Sequence, residues 1–251
     1  MFQRIFATAL GAGIGVGLLI AALQHVALVP LIVTAETYES GAAARQHATK
    51  ALDIGKPTTT HVEALVAFAD EAQAHDHNAP NAADAALTWR PVFTTIATTL
   101  TAVGFGLLLA GAFAVSGREV DMREGLFWGL AGFASFALAP AFGLPPELPG
   151  SVAAELVARQ IWWGATTTAT AAALALMVFV RAPWALLIGV ALLIAPNLIG
   201  APQPPEGSGV VPPELAAAFA ARSLVVNAVF WALLGLATGA LYERLGRTAK
   251  A

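Results

Sequence analysis

Six long apolar segments determine what this 251-residue chain can fold into. Each is long enough, or nearly so, to cross a hydrocarbon core of about 30 Å, which needs about 17 to 25 helical residues. With 57% hydrophobic and 12% charged residues, the chain also has too few charges to cover a soluble surface. We therefore predict one all-α integral membrane domain, residues 1–251, with about six transmembrane helices. The apolar segments are 5–35, 91–115, 125–144, 161–180, 182–199 and 224–241.

The first helix, within residues 1–35, is longer than one crossing requires, so it should tilt or break, and Pro30 is the expected place for a break. A signal peptide is the alternative interpretation of this start. The apolar run extends well past a signal-peptide core of 7–15 residues, which favours a retained helix. The fifth segment is short for a full crossing.

The loops predict the orientation, because lysine and arginine are in excess on the cytoplasmic side of membrane proteins. The basic residues of the short connections all fall on one side. The other side carries the acidic stretch 36–90, predicted as an outer loop, and two loops containing Pro-Pro-Glu. Both termini are therefore predicted to be cytoplasmic. The basic residues are Arg4, Arg118, Arg123, Arg181, Arg244, Arg247 and Lys250.

One layout recurs along the chain: a proline near the end of an apolar segment, a loop with carboxylates, then an arginine that opens the next segment. Five helices are predicted in residues 91–251. The layout predicts two hairpins of the same orientation among them, at about 125–180 and 182–241. Pro30 and Arg90 make the first hairpin a candidate third copy. Such repeats are typical of pores and carriers rather than enzymes.

Other function classes are excluded or disfavoured by composition. The chain has no cysteine, so disulfides, thiolate metal sites and cysteine nucleophiles are excluded. It has neither a phosphate-binding glycine loop nor a Gly-x-Ser-x-Gly motif, and no basic patch indicates nucleic acid. We expect no enzymatic activity and no permanently bound cofactor.

Polar side chains inside the apolar segments collect in the predicted outer half of the membrane. They are Gln24, His25, Asn197 and Asn227, together with threonines of the second and fourth helices. Polar groups at this depth usually face a bundle interior or a wet cavity. The pattern predicts an outward-facing vestibule; hydrogen bonding between helices is the alternative.

Four of the five histidines fall in the stretch 36–90, among many carboxylates. The compact candidate is His75-Asp76-His77, with His61 in the same stretch and His25 in the first helix. Imidazole with carboxylate suits cobalt, nickel or zinc, so these residues are candidate metal ligands. A solvated surface loop is the alternative interpretation.

Several segments of this sequence resemble one family. They are Pro30-Leu31-Ile32, Trp89-x-Pro91, and the block from Leu138 through Pro145-Pro146-Glu147-Leu148-Pro149-Gly150 to Arg159-Gln160-x-Trp162-Trp163. Together they resemble the CbtA family of predicted cobalt transporter subunits, over nearly the whole chain. The resemblance implies cobalt uptake across a bacterial inner membrane in support of cobalamin synthesis. It also implies a small, histidine-bearing membrane partner, CbtB.

The resulting hypothesis has Co2+ as the transported ion. Loop histidines capture it outside, and it passes Glu36, Gln24 and His25, with Asn197 and Asn227 as weak ligands. An ion that must move on needs weak, successive sites. Alternatives are a nickel or other divalent-metal permease and a non-transporting membrane scaffold.

Two arginines of the repeated layout are expected at the outer rim of the bundle. Arg159 and Arg222 would pair there with carboxylates, and anchoring at the membrane interface is the alternative. The candidate carboxylates are Glu147, Glu155, Glu206 and Glu214.

Overall fold

In the part of the chain that the structure describes, all regular secondary structure is helical, as predicted. The computed structural model describes the backbone of residues 2–53, 82–205 and 209–248, and the side chains of 2–42, 89–205 and 209–247. A π-helical turn, Ala134–Leu138, joins α4 to the three-residue α5. The helices are α1 (Phe2–Ala27), α2 (Val29–Asp53), α3 (Ala82–Ser116), α4 (Met122–Phe133), α5 (Ala139–Ala141), α6 (Leu156–Phe179), α7 (Pro183–Ile199) and α8 (Pro213–Thr248).

Four helical stretches within the described residues are long and apolar enough to cross a membrane. They are Phe2–Ala27, Trp89–Ser116, Leu156–Phe179 and Pro213–Arg247. The fifth predicted segment is the apolar helix α7, which has 17 residues. The third predicted segment is divided into α4, the π-helical turn and α5. All six apolar segments are thus helical, and four of them form long candidate spans.

Prolines interrupt two of the apolar segments. The predicted break near Pro30 is confirmed, since α1 ends at Ala27 and α2 begins at Val29. In the third segment the π-helical turn comes directly before α5, which contains Pro140, and the Ala139 N–H donates to the Ala134 carbonyl five residues back. Proline removes one helical hydrogen bond and crowds the preceding turn, so the wider π-helical turn accommodates it.

The stretch 36–90 is less of a loop than predicted. Helix α2 continues through Asp53, and α3 begins at Ala82, so both ends of the stretch are helical. The prediction treated polar residues as loop residues. Alanine-rich runs at both ends favour helix regardless of their polarity, and this propensity determined the structure. Helix α8 begins before the predicted 224–241 for the same reason, since residues 216–221 are rich in alanine.

The helices pair differently from the predicted hairpins. Helix α1 packs against α3 and α8, α4 packs against α8, and α6 packs mainly against α7. The hairpin predicted at 182–241 is therefore not a packed unit, because α7 and α8 lie against different neighbours. In the hairpin predicted at 125–180, α6 contacts mostly the π-helical turn and α5 and makes few contacts with α4. Sequence similarity between the two hairpins does not make them equivalent packing units.

Glycines bring the backbones of α4 and α8 into direct contact. Added Cβ atoms on Gly125 and Gly129 would collide with the carbonyl oxygens of Gly235 and Trp231. An added Cβ on Gly239 would meet Asp121 and Gly125 in turn, so the two helices run antiparallel. Lipid chains are as apolar as the surface of a membrane helix, so the hydrophobic effect does not drive two helices together. Close packing of this kind is a main source of helix association in membranes.

The two ends of the bundle differ in character. At one end, which we call the arginine end, Arg4 donates from Nε to the Tyr242 carbonyl over 2.8 Å, and its guanidinium lies 3.5 Å from the centre of the Tyr242 ring. At the other end, which we call the loop end, Ala35, Leu148 and Val211 form a small buried cluster. The Pro-Pro-Glu loops therefore meet the start of α2 at one end, opposite the chain termini.

The α4–α8 contact makes a specific prediction for Gly129→Ala. The new methyl group would meet backbone, which cannot move as a side chain can, so we expect a clear fall in the melting midpoint of the detergent-purified protein. Gly104→Ala is the matched control, because an added Cβ there meets nothing within 4 Å. That control should be neutral or slightly stabilising, since alanine favours helix over glycine by about 0.8–1.0 kcal/mol. Equal midpoints for the two variants would contradict the proposed contact.

Candidate functional site

Two polar contacts connect α1 and α2 to α3. Thr98 donates from Oγ1 to Gln24 Oε1 over 2.9 Å, and Arg90 donates to both carboxylate oxygens of Glu36 over 3.0 and 2.5 Å. Arg90 and Thr98 are about 12 Å apart along α3, at 1.5 Å per residue. We call these four residues and His25 the polar seam. It runs from the end of α1 toward the loop end.

The Glu36–Arg90 pair is the most strongly polarised contact of the seam. Hydrogen bonds from Arg90 lower the pKa of Glu36; partial burial opposes this shift, and the charge of Arg90 adds to it. Glu36 is therefore an anion at neutral pH, with both oxygens occupied by Arg90. A metal ion could use this carboxylate only by replacing the guanidinium.

His25 lies next to Gln24 in the last turn of α1 and is half-buried. It is the one histidine whose side chain falls in the described part of the chain, and it makes no hydrogen bond to another described residue. Its imidazole is therefore not committed to another described side chain. Gln24, in contrast, already uses its amide oxygen to accept from Thr98.

Asn197 and Asn227 make no hydrogen bond to the residues of the polar seam. Asn197 is exposed on α7, which packs on α6 rather than on α1 or α3. Its amide donates to the Leu193 carbonyl over 3.3 Å, and the Asn227 amide donates to the Ser223 carbonyl over 3.1 Å. Both side chains thus bond to the preceding turn of their own helix.

The expected outer-rim ion pairs have different outcomes. Arg159 donates to Glu147 over 2.7 Å at the loop end. Glu155 instead caps α6, accepting from the backbone N–H groups of Val157 and Ala158, and these hydrogen bonds lower its pKa. Arg222 and Glu214 are exposed and form no ion pair with any described residue. Glu206 lies outside the described residues.

The predicted metal-capturing residues cannot be compared with the structure, because His61, His75, Asp76 and His77 all lie outside the described residues. Within residues 2–42, 89–205 and 209–247, no three histidine, aspartate or glutamate side chains come close enough together to hold a metal ion. Metal capture by the stretch 36–90 stays a prediction.

A comparison with protein families bears on the identity of the chain. The family model described as "Probable cobalt transporter subunit (CbtA)" matches residues 2–243. The chain belongs to the CbtA family. The match includes α1 through α7 and most of α8, and it confirms the resemblance seen in the sequence. Neither a curated protein nor a solved structure matches the chain.

Sequence reasoning did not pair Glu36 with Arg90, or Gln24 with Thr98. The signal for the first pair was present in the repeated layout of proline, carboxylate and arginine. In that layout Glu36 and Arg90 occupy the same places as Glu147 and Arg159, which are also in contact. Treating Glu36 only as a path residue obscured this parallel.

The seam predicts that Glu36 and Arg90 are energetically coupled. Glu36→Gln and Arg90→Gln should each lower the melting midpoint. The double variant should lose less free energy of unfolding than the sum of the losses in the two single variants. The coupling should be about 0.2–1 kcal/mol, the range for partly exposed pairs. Because the folded-state pKa of Glu36 is lowered, this stabilisation is present above the ordinary glutamate pKa of about 4.3 and is lost as pH falls through the folded value. Melting midpoints from pH 3 to 8 test this.

The matched control for this cycle is Glu214→Gln with Arg222→Gln, at the same end of the bundle. Neither side chain has an ion-pair partner among the described residues, so their effects should be small and additive. Additive effects at Glu36 and Arg90 as well would contradict the coupling.

Proposed function

We propose that this chain is the membrane subunit of a Co2+ uptake transporter in the bacterial inner membrane. The observation that carries the proposal is the match to a cobalt transporter subunit family over residues 2–243. The four long apolar helical stretches are consistent with it, because a permeation path needs several helices around it. Uptake of cobalt would support cobalamin synthesis.

The proposed orientation places the arginine end in the cytoplasm. Arginines cluster in the short connections there, which is the pattern of cytoplasmic loops. The hydrogen bond from Arg4 to the Tyr242 carbonyl joins the first and last helices at that same end, so both would end in the cytoplasm. The loop end, with the acidic stretch 36–90, would face outward.

The proposed route begins at the histidines of the stretch 36–90 and continues into the polar seam. Imidazole nitrogen suits Co2+, and His25 is the half-buried imidazole closest in sequence to the break between α1 and α2. Glu36 is held by Arg90, so it would contribute an oxygen ligand only when that pair opens. The positive charge of Arg90 would otherwise repel the ion, and the pair would act as a gate.

A small, histidine-bearing membrane subunit is the proposed partner. The polar seam offers a single imidazole, whereas ion transfer through successive weak sites needs several ligands. A subunit that contributes further histidines in the membrane would complete such a series. This CbtB-like partner is implied by the family and is part of the proposal.

A membrane scaffold is the second candidate function. It is favoured by the hydrogen bond between Thr98 and Gln24, which joins two helices and needs no transported ion. A nickel permease would use the same ligand chemistry as a cobalt permease.

Uptake of radioactive cobalt, with nickel in parallel, distinguishes these candidates. Cells lacking other importers would express the chain with and without its presumed small partner. We expect cobalt accumulation that depends on the chain and is greater with the partner. Preferential nickel uptake would assign the permease to nickel. No uptake of either metal, with the protein present in the membrane, would favour the scaffold.

We expect His25→Ala to reduce uptake at least tenfold at all cobalt concentrations, because a ligand on the path limits transfer even when capture is saturated. The matched control is Val26→Ala, a neighbour that is 79% exposed, which should leave uptake unchanged. Wild-type uptake by the His25 variant would remove this residue from the path.

We expect His75→Ala combined with His77→Ala to lower uptake only at low cobalt concentration, since these side chains would raise the local ion concentration. Only neutral imidazole binds metal, so wild-type capture should weaken as the outside falls below about pH 6.5. Asn78→Ala with Asn81→Ala is the control in the same segment. If the histidine variant shows the wild-type concentration and pH dependence, the capture role is wrong.

A further inference from the structure

A cavity of about 330 Å3 lies between α3, α4 and α6. Its walls are almost entirely apolar and include Phe127, Trp128 and Val178. Phe136 and Trp231 line it as well; their rings are stacked, with centroids 5.5 Å apart. The cavity contains none of the polar seam residues, so it is a separate feature of the bundle.

The cavity exists because α4 and α6 barely touch. Their separation is spanned mainly by the π-helical turn, which places Ser135 and Phe136 in the cavity wall. The facing positions of α6 include two alanines, Ala171 and Ala175, whose side chains do not fill the space. The chain itself therefore leaves this space open within the apolar part of the bundle.

Two opposite charges lie at one end of the cavity. Arg118, in the connection between α3 and α4, and Glu124, in the first turn of α4, both line it. The Arg118 guanidinium is 5.4 Å from the centre of the Phe179 ring at the end of α6. The charged end of the cavity, which we call its mouth, therefore lies where the end of α3, the start of α4 and the end of α6 meet. This is the arginine end of the bundle. Apolar walls behind a charged mouth match an amphipathic molecule.

We propose that this cavity binds one phospholipid with a zwitterionic head group. Its phosphate would lie at Arg118, its ammonium group at Glu124, and one acyl chain would lie along Trp128 toward Trp231. A lipid with a net negative head group would fit less well, because the Glu124 carboxylate would face it without a positive partner. The proposal does not depend on which metal, if any, the protein transports.

The character of the walls favours a lipid chain as the occupant, because they are apolar along most of the cavity and charged at one end. The cavity volume is within the range of about 300–1,000 Å3 that is typical of small-ligand sites. An acyl chain is long and narrow and needs no hydrogen bonds from the wall.

The test is native mass spectrometry of the full chain released from nanodiscs with equal amounts of phosphatidylethanolamine and phosphatidylglycerol. We expect one retained phosphatidylethanolamine per chain, and at least tenfold less in Ala175→Leu, whose larger side chain would occupy part of the cavity and obstruct the acyl chain. Ala172→Leu is the matched control on the same helix; Ala172 is exposed and does not line the cavity. It should retain the lipid.

The head-group assignment has its own pair of variants. Arg118→Gln should lower phosphatidylethanolamine retention at least fivefold, whereas Arg123→Gln, at the same end but outside the cavity lining, should not. Melting midpoints of all four variants, measured in detergent, establish that they are folded. Equal retention by Ala175→Leu and Ala172→Leu would overturn the cavity site. Equal retention of both lipids by the wild type would overturn head-group recognition, and a retained protein in place of lipid would assign the cavity to a partner.

Discussion

The bundle depends on the direct contact between the backbones of α4 and α8. Hydrophobic burial gives helices in a membrane little reason to associate, so the distance at which backbones can approach decides which of them pair. Gly125 and Gly129 on one side and Gly235 and Gly239 on the other leave no side chain between the two backbones at these four positions. Helix α1 uses Gly13 and Gly17 in the same way against α3. These contacts place α8 among α1, α3 and α4, and they leave α6 and α7 as a pair beside that core.

The position of α6 and α7 has two consequences. The first is the cavity, because the π-helical turn before Pro140 connects α4 to the rest of its segment without bringing α6 close to α4. The second is that Asn197 lies on a helix that packs against α6 rather than against α1 or α3. Gln24 and Glu36 are hydrogen-bonded to α3, and both asparagines bond within their own helices.

Two arginine–carboxylate ion pairs connect neighbouring segments at the loop end. Glu36 with Arg90 and Glu147 with Arg159 each join a carboxylate that follows a proline to an arginine that opens the next apolar stretch. An arginine that has a carboxylate partner is easier to hold at the membrane boundary than one without. In the transport proposal, the imidazole and carboxylate groups of the stretch 36–90 are the candidates for first contact with the metal.

The sequence alone determined the helical class, the six apolar segments, the break near Pro30 and the family. Hydropathy and proline act within a few residues, and the family block from Leu138 to Trp163 is read directly from the letters. Tertiary structure decided which helices are neighbours, that Arg90 holds Glu36, that Thr98 meets Gln24, and that a cavity separates α4 from α6. These outcomes depend on which surfaces approach most closely across the whole bundle. A repeated local pattern such as 125–180 and 182–241 cannot specify that, because similar segments can pack against different partners.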